Sequence, residues 1–150
     1  MKITDTVHID APTERVFEIF CDLDSAAANL SGITKLELLE GSAQLNLGTK
    51  WRETRMFAGK EATEEMWVTS YEQDSSYEVD AESRGTHYRS TYQFTPSHGG
   101  TRVDYRFTMT PLTFGARVMS VVGLLFLGVM KKALLQDLQQ LKTACETATK

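Results

Sequence analysis

Two glutamates and one arginine are the residues of this sequence whose types and spacing best suit chemistry. Glu53 and Arg55 are two positions apart, and Glu64 follows on the next predicted strand. Alternate residues of a strand point to the same face of a sheet, so Glu53 and Arg55 share a face. Two carboxylates that face each other push one pKa upward, and a nearby arginine pulls it downward. Such a group could polarise a carbonyl or transfer a proton.

The three charged residues leave three roles open. In a catalytic role, Glu53 or Glu64 would be the acid or base. In a binding role, Arg55 would hold a ligand carboxylate, which suits the fork geometry of its guanidinium. The third interpretation is a structural ion-pair cluster near a wet cavity mouth, because burial of charge is expensive unless the charge is paired or hydrated.

The turn at Ala58-Gly59 decides which face of these two strands points inward. With a loop of two or four residues, the charged face also carries apolar residues and is the inner one. A three-residue loop would exchange the two faces, because a slip by one residue reverses every side chain. The pairs expected on the inner face are Trp51 with Met66, Glu53 with Glu64, and Arg55 with Ala62, and those on the outer face are Arg52 with Glu65 and Thr54 with Thr63.

The same counting predicts an inner face rich in aromatic rings on the later strands. A two-residue turn at Arg84-Gly85 pairs Asp80 with Arg89 on the outer face. Mostly apolar walls with a few polar groups are typical of small-molecule pockets, although such rings can also simply fill a core. The residues that we expect to line a ligand site are Trp51, Glu53, Arg55, Glu64, Met66, Tyr77, Tyr88, Tyr92, Tyr105 and Phe107.

The elements that must position these residues follow from hydrophobic periodicity and turn signals. Short connections indicate antiparallel neighbours, and a sheet of this kind needs a cover on one face. The pattern therefore predicts an α+β fold, in which a curved sheet surrounds a long helix and leaves a ligand site between them. The predicted order is a strand over 3–9, short helices over 12–21 and 22–30, strands over 36–40, 49–57, 61–71, 76–83, 86–95 and 101–110, and a helix over 113–148.

The start of the long helix is unusually apolar. Residues 118–130 read VMSVVGLLFLGVM, thirteen residues without a charge. This run is shorter than the roughly 20 residues of a membrane span. It could be buried within the chain, or its far side could contact a second copy or a membrane surface. A peripheral membrane contact and a homodimer therefore both stay open.

The composition narrows the class of protein. The chain has 150 residues and a formal net charge of −4, which favours one domain over residues 1–150. A mildly acidic chain lacks the electrostatic footprint of a nucleic-acid binder. Two separated cysteines and an alternating N-terminal segment, unlike a signal peptide, favour a cytoplasmic location.

Motifs for metals and cofactors are missing from the sequence. His8, His87 and His98 have no ligand spacing, so we expect no metal site. The glycine patterns of dinucleotide and phosphate binding and the G-x-S-x-G nucleophile motif do not occur, and we expect no cofactor.

Three local phrases, in this order, carry a family resemblance. They are APTERVF at residues 11–17, GTKWRE at 48–53, and Phe94 followed by GGTRV at 99–103. Together with the element order they resemble the START-like, birch-pollen-allergen-like superfamily (SRPBCC), and within it the polyketide cyclase/dehydrase and lipid-transport branch. The resemblance covers essentially the whole chain. It implies the helix-grip fold, a seven-stranded antiparallel sheet around a long C-terminal helix with two short helices after the first strand.

Binding of a hydrophobic small molecule or lipid in the helix–sheet cavity is the function that this resemblance favours, with transport as an extension of it. The family has no universal catalytic motif. A cyclase or dehydratase acting on an aromatic or polyketide-like substrate in the same cavity is the first alternative. An interaction module that uses the apolar 118–130 segment is the second.

Overall fold

The computed structural model describes residues 2–57, 59–83, 85–117 and 127–148. The predicted order of elements is confirmed, and the strands extend one to three residues beyond several predicted bounds. The elements are β1 (Lys2–Ile9), α1 (Thr13–Phe20), α2 (Leu23–Asn29), β2 (Ile33–Glu40), β3 (Lys50–Phe57), β4 (Lys60–Glu72), β5 (Ser76–Ser83), β6 (Thr86–Ser97), β7 (Gly100–Pro111) and α3 (Leu127–Ala148).

All seven strands form one antiparallel sheet in the order β1-β7-β6-β5-β4-β3-β2. Phe57 pairs with Lys60, so the β3–β4 hairpin has a two-residue loop. Gly59 in this loop has φ +78°, a left-handed conformation that suits glycine and the tight hairpin turn. The two-residue loop confirms the predicted pairing of β3 with β4, and Ser83 pairs with Thr86 in the same way at the β5–β6 turn.

Helix α1 packs one apolar face against the sheet. Val16, Phe17, Ile19 and Phe20 are buried, which is the helical spacing read from the sequence. The ring of Phe17 makes edge contacts with the rings of Tyr71, Tyr77 and Phe94, at centroid distances of 5.6, 6.0 and 5.1 Å. Aromatic edge contacts of this kind stabilise the packing beyond the area that they bury.

Helix α3 lies across the concave face and is held at several points. Leu138, Leu141 and Cys145 are buried at helical spacing. At one side Lys142 Nζ donates a hydrogen bond of 2.9 Å to the His8 carbonyl of β1. At the other side Gln140 Nε2 donates one of 2.8 Å to Ser31 Oγ, in the connection between α2 and β2.

The predicted helix over 113–148 is described in two parts. Residues 114–117 are helical, α3 continues to Ala148, and residues 118–126 lie outside the described part of the chain. Most of the apolar 118–130 segment therefore lies there too, and its predicted contact with a second copy or a membrane stays a prediction. At its described end, Val129 is exposed and Met130 is half-buried. None of the described helices is long and apolar enough to cross a membrane.

Candidate functional site

A cavity of about 200 Å³ lies between the concave face of the sheet and α3. The structure brings all ten sequence-predicted site residues to its wall. Helix α3 contributes further wall residues, and Leu23, Ala26 and Leu30 contribute from α2 and its end. The described lining residues include Trp51, Glu53, Arg55, Glu64, Met66, Tyr77, Tyr88, Tyr92, Tyr105 and Phe107 from the sheet and Met130, Ala133, Leu134, Asp137 and Leu141 from α3.

The aromatic part of the wall is a stack of phenol rings across three adjacent strands. The rings of Tyr77 and Tyr92 are stacked at 4.6 Å, and Tyr105 lies 4.9 Å from Tyr92. Burial raises the pKa of each of these phenols above its ordinary value of 10.0. The hydroxyl groups therefore stay neutral at physiological pH and serve as hydrogen-bonding groups. One such contact joins Tyr105 Oη and Ser90 Oγ at 3.3 Å.

Arg55 joins the sheet to the C-terminal helix through two carboxylates. Its Nε donates to Glu53 Oε2 at 2.6 Å, and its Nη2 lies 2.7 Å from Asp137 Oδ2. The side chains of Arg55, Glu53 and Asp137 are only 15%, 8% and 16% exposed. The predicted proximity of Glu53, Arg55 and Glu64 is thus confirmed, since Glu53 pairs with Glu64 across the hairpin. Asp137 is an additional member that the sequence analysis missed.

One guanidinium does not fully compensate two buried carboxylates. Burial raises the pKa of the Asp137 carboxyl above its ordinary value of 3.8, and the attraction of Arg55 only partly opposes that rise. Burial also disfavours the charged form of Arg55, but Glu53 and Asp137 outweigh it and raise the Arg55 pKa. Arg55 stays charged, whereas Asp137 holds its proton more tightly than an exposed aspartate does.

Asp137 had one recognisable signal in the sequence. It lies three residues after Leu134 and four before Leu141, so the three residues share one side of a helix. An acidic residue on a stripe that faces a sheet must be paired or exposed to a cavity. Arg55, already predicted to point inward, was the partner available to it.

A second charged cluster lies on the outer face of the sheet. Asp80 pairs with Arg89 as predicted, through hydrogen bonds of 2.9 and 3.0 Å to Oδ1 and Oδ2, and His87 Nε2 lies 2.8 Å from Oδ2. Although it lies on the outer face, Asp80 is buried. Burial disfavours its charged form, but the bonds from Arg89 and His87 outweigh that effect and lower the Asp80 pKa. This cluster links β5 to β6, and Asp80 is also among the residues that line the sheet–helix cavity.

Other sites within the described ranges are less suited to chemistry than the sheet–helix cavity. Within the described ranges no group of three or more His, Cys, Asp or Glu residues could hold a metal ion. Burial raises the pKa of the Cys145 thiol to about 12 and also raises that of Cys21, so neither is an activated nucleophile. An open groove of about 770 Å³ between α1, α2 and the outer side of α3 has mainly polar walls, among them Gln136, Gln139 and Thr143. Of these sites, only the sheet–helix cavity combines apolar walls with charged groups that face the same space.

The contribution of the Arg55 ion pairs to stability can be compared with that of the Arg52 ion pairs on the opposite face of β3. Arg52 also pairs with two carboxylates, Glu37 and Glu65, but is 43% exposed. We expect Arg55→Met to lower the free energy of unfolding by about 3–5 kcal/mol, because it leaves buried carboxylates uncompensated. Arg52→Met should cost less than about 1 kcal/mol. Urea unfolding of both variants measures the difference, and equal losses would contradict a buried bridge.

Asp80, which is buried, and Asp137, which is half-buried, should titrate in opposite directions from 3.8. We expect the carboxyl-carbon NMR signal of Asp137 to titrate above this value and that of Asp80 below it. Asp137 then stabilises the fold most below the unfolded pKa, and this contribution is lost as the pH rises through its folded pKa. Asp80 stabilises the fold above the unfolded pKa, and its contribution is lost as the pH falls. An Asp137 signal that titrates below 3.8 would contradict the charge imbalance at Arg55.

Comparison with solved structures shows the same fold in proteins of low sequence identity. TTHA0849 from Thermus thermophilus is 21% identical with a TM-score of 0.79, and all of each chain is covered. Ara h 8.0201 is 12% identical with a TM-score of 0.70, over 98% of both chains. The di-domain ARO/CYC StfQ from the steffimycin biosynthetic pathway is 10% identical with a TM-score of 0.79; 99% of this chain matches 52% of StfQ.

These likenesses confirm the helix-grip fold. No significant match is found among curated protein sequences. A family model described as polyketide cyclase/dehydrase and lipid transport matches residues 1–146. The chain therefore belongs to the polyketide cyclase/dehydrase and lipid-transport family.

Proposed function

We propose that the chain binds a small, mostly apolar molecule in the cavity between the sheet and α3. The observation that carries this proposal is the cavity itself, whose walls combine apolar side chains with one charged end at Arg55. Ligand sites in proteins have this composition, with few polar groups that orient the ligand. The aromatic residues would contact the apolar part of the ligand, and Glu53, Arg55 and Glu64 would face its polar end.

The size of the cavity supports a small ligand. Apolar cavities of about 150 Å³ can bind benzene, and ordinary ligand pockets begin at about 300 Å³. A cavity of about 200 Å³ therefore suits a molecule of one or two fused rings better than a long-chain lipid. The name of this family includes lipid transport, and in a transport role the chain would carry such a molecule in this cavity.

Trp51 supports a binding site over a simple core. Its indole Nε1 is buried and has no hydrogen-bond partner within the described part of the chain. An unpaired buried donor costs about 1–3 kcal/mol. Trp51 belongs to the cavity wall, so an acceptor on a bound molecule that reaches Nε1 would satisfy it. A core selected for stability alone has no use for this donor, since phenylalanine would fill the same space without it.

An enzyme of the cyclase or dehydratase type is the second candidate, and Asp137 is the observation that favours it. A carboxyl with a raised pKa beside a guanidinium could exchange a proton with a carbonyl compound held in the cavity. The catalytic group would then be Asp137, alongside the sequence candidates Glu53 and Glu64. This proposal differs from binding alone in requiring that the bound molecule be chemically converted.

Filling the cavity should weaken binding without unfolding the chain. Ala81 is buried and belongs to the cavity wall. We expect Ala81→Leu to weaken binding of 1-naphthalenemethanol by at least about tenfold in isothermal calorimetry, because the leucine occupies space that the ring needs. Ala27→Leu on the exposed side of α2 is the matched control and should bind the probe as the native chain does.

Two results would count against the proposed site. Unchanged affinity of Ala81→Leu would place the probe elsewhere, for example in the polar groove beside α3. If the native chain itself binds neither this probe nor any molecule retained through mild purification and detected by native mass spectrometry, the binding function would be wrong.

A further inference from the structure

The charge at the polar end of the cavity restricts which ligands can enter it. Glu53, Glu64 and Asp137 face the cavity together with a single cation, Arg55. Asp80 is a fourth acidic residue of the described wall, but its carboxylate is paired with Arg89 and His87. Glu53 and Asp137 already share the guanidinium of Arg55. An additional anion would be placed beside these two carboxylates, in a largely buried region where charges are weakly screened.

Arg55 has little freedom to turn toward a ligand anion. Its Nε is engaged by Glu53 and its Nη2 by Asp137, at 2.6 and 2.7 Å. Its Nη1 lies close beside Gly32, since a Cβ atom added to this glycine would be only 3.2 Å from Nη1. The guanidinium is therefore held on three sides. A ligand carboxylate would have to displace one of two protein carboxylates, and the displaced one would stay buried without its partner.

Resting on the proposed binding function, we propose that the cavity excludes anionic ligands and accepts ring compounds whose polar group is uncharged or cationic and donates a hydrogen bond. A hydroxyl or an amine meets this requirement, because it can donate to the carboxylate oxygens of Glu53, Glu64 or Asp137. A hydroxyl can also accept from Trp51 Nε1. Carboxylate-bearing ligands, free fatty acids among them, do not meet it.

Three probes with the same ring separate charge from shape. They are 1-naphthalenemethanol, 1-naphthalenemethylamine, which is an ammonium ion at pH 7, and 1-naphthoate. We expect calorimetric titration of the native chain to give measurable binding of the alcohol and the amine. Naphthoate should bind at least about tenfold more weakly than the alcohol, because like charges brought together at a buried site are costly. Naphthoate binding as tightly as the alcohol would overturn the proposal.

A matched pair of variants then tests the source of the exclusion. Glu64→Gln removes a carboxylate from the cavity wall, and Glu65→Gln removes its neighbour on the outer face of β4. We expect the ratio of naphthoate to alcohol affinity to rise at least severalfold in Glu64→Gln and to stay unchanged in Glu65→Gln. Equal ratios in the two variants would contradict a role for cavity charge.

The outcomes separate this inference from the proposed function. If none of the three probes binds the native chain, the binding function fails and the inference with it. If the probes bind with no preference against naphthoate, the binding function stands and only the charge selectivity is wrong. Asp137→Asn provides a second variant, with the same expected rise in relative naphthoate affinity, should Glu64→Gln fail to fold.

Discussion

Arg55 lies between strand β3 and helix α3, and the carboxylates on both sides of it set the character of the cavity. The guanidinium binds Glu53 on its own strand and Asp137 on the helix, in a region that water scarcely reaches. Buried charges are tolerated only with good geometry and partners, so the helix cannot move away from the sheet without exposing uncompensated groups. The ion pairs of Arg55 place charged groups between the sheet and α3, where apolar side chains would otherwise pack together. The cavity lies beside these charged groups.

The remaining walls follow from the alternation of the strands. Alternate residues of β3 to β7 face α3, apart from an irregularity between Val68 and Ser70 of β4, and many of these positions carry Trp, Tyr, Met or Phe side chains. Helix α1 closes one end, where Phe17 and Phe20 pack on the aromatic rings of the sheet. The rings thus have a rigid, well-packed end and an end that lines open space. In the proposed binding function, packing at one end and polar groups at the other would give the ligand a defined orientation.

Much of this arrangement is readable in the sequence because two-residue turns determine strand register. Once Phe57 pairs with Lys60, the faces of the residues paired along β3 and β4 follow, including those of the facing glutamates Glu53 and Glu64. Asp137 was missed for a physical reason. In a strand, inward-facing and outward-facing residues alternate, whereas the inward face of a helix depends on tertiary packing. The sequence of residues 118–130 is apolar throughout, so it does not mark which side of the helix faces inward. The start of β2 at Ile33, three residues earlier than predicted, reflects bulges that a hydrophobic pattern does not reveal.

A crystal structure of the chain with 1-naphthalenemethanol tests the central claim most directly. We expect the naphthalene ring between the tyrosines of the sheet and α3, with its hydroxyl within about 3.2 Å of a carboxylate oxygen of Glu53, Glu64 or Asp137. The pairs of Arg55 with Glu53 and Asp137 should remain intact around it. A probe bound outside the cavity, or a ring bound inside with its hydroxyl turned away from these carboxylates, would contradict the account.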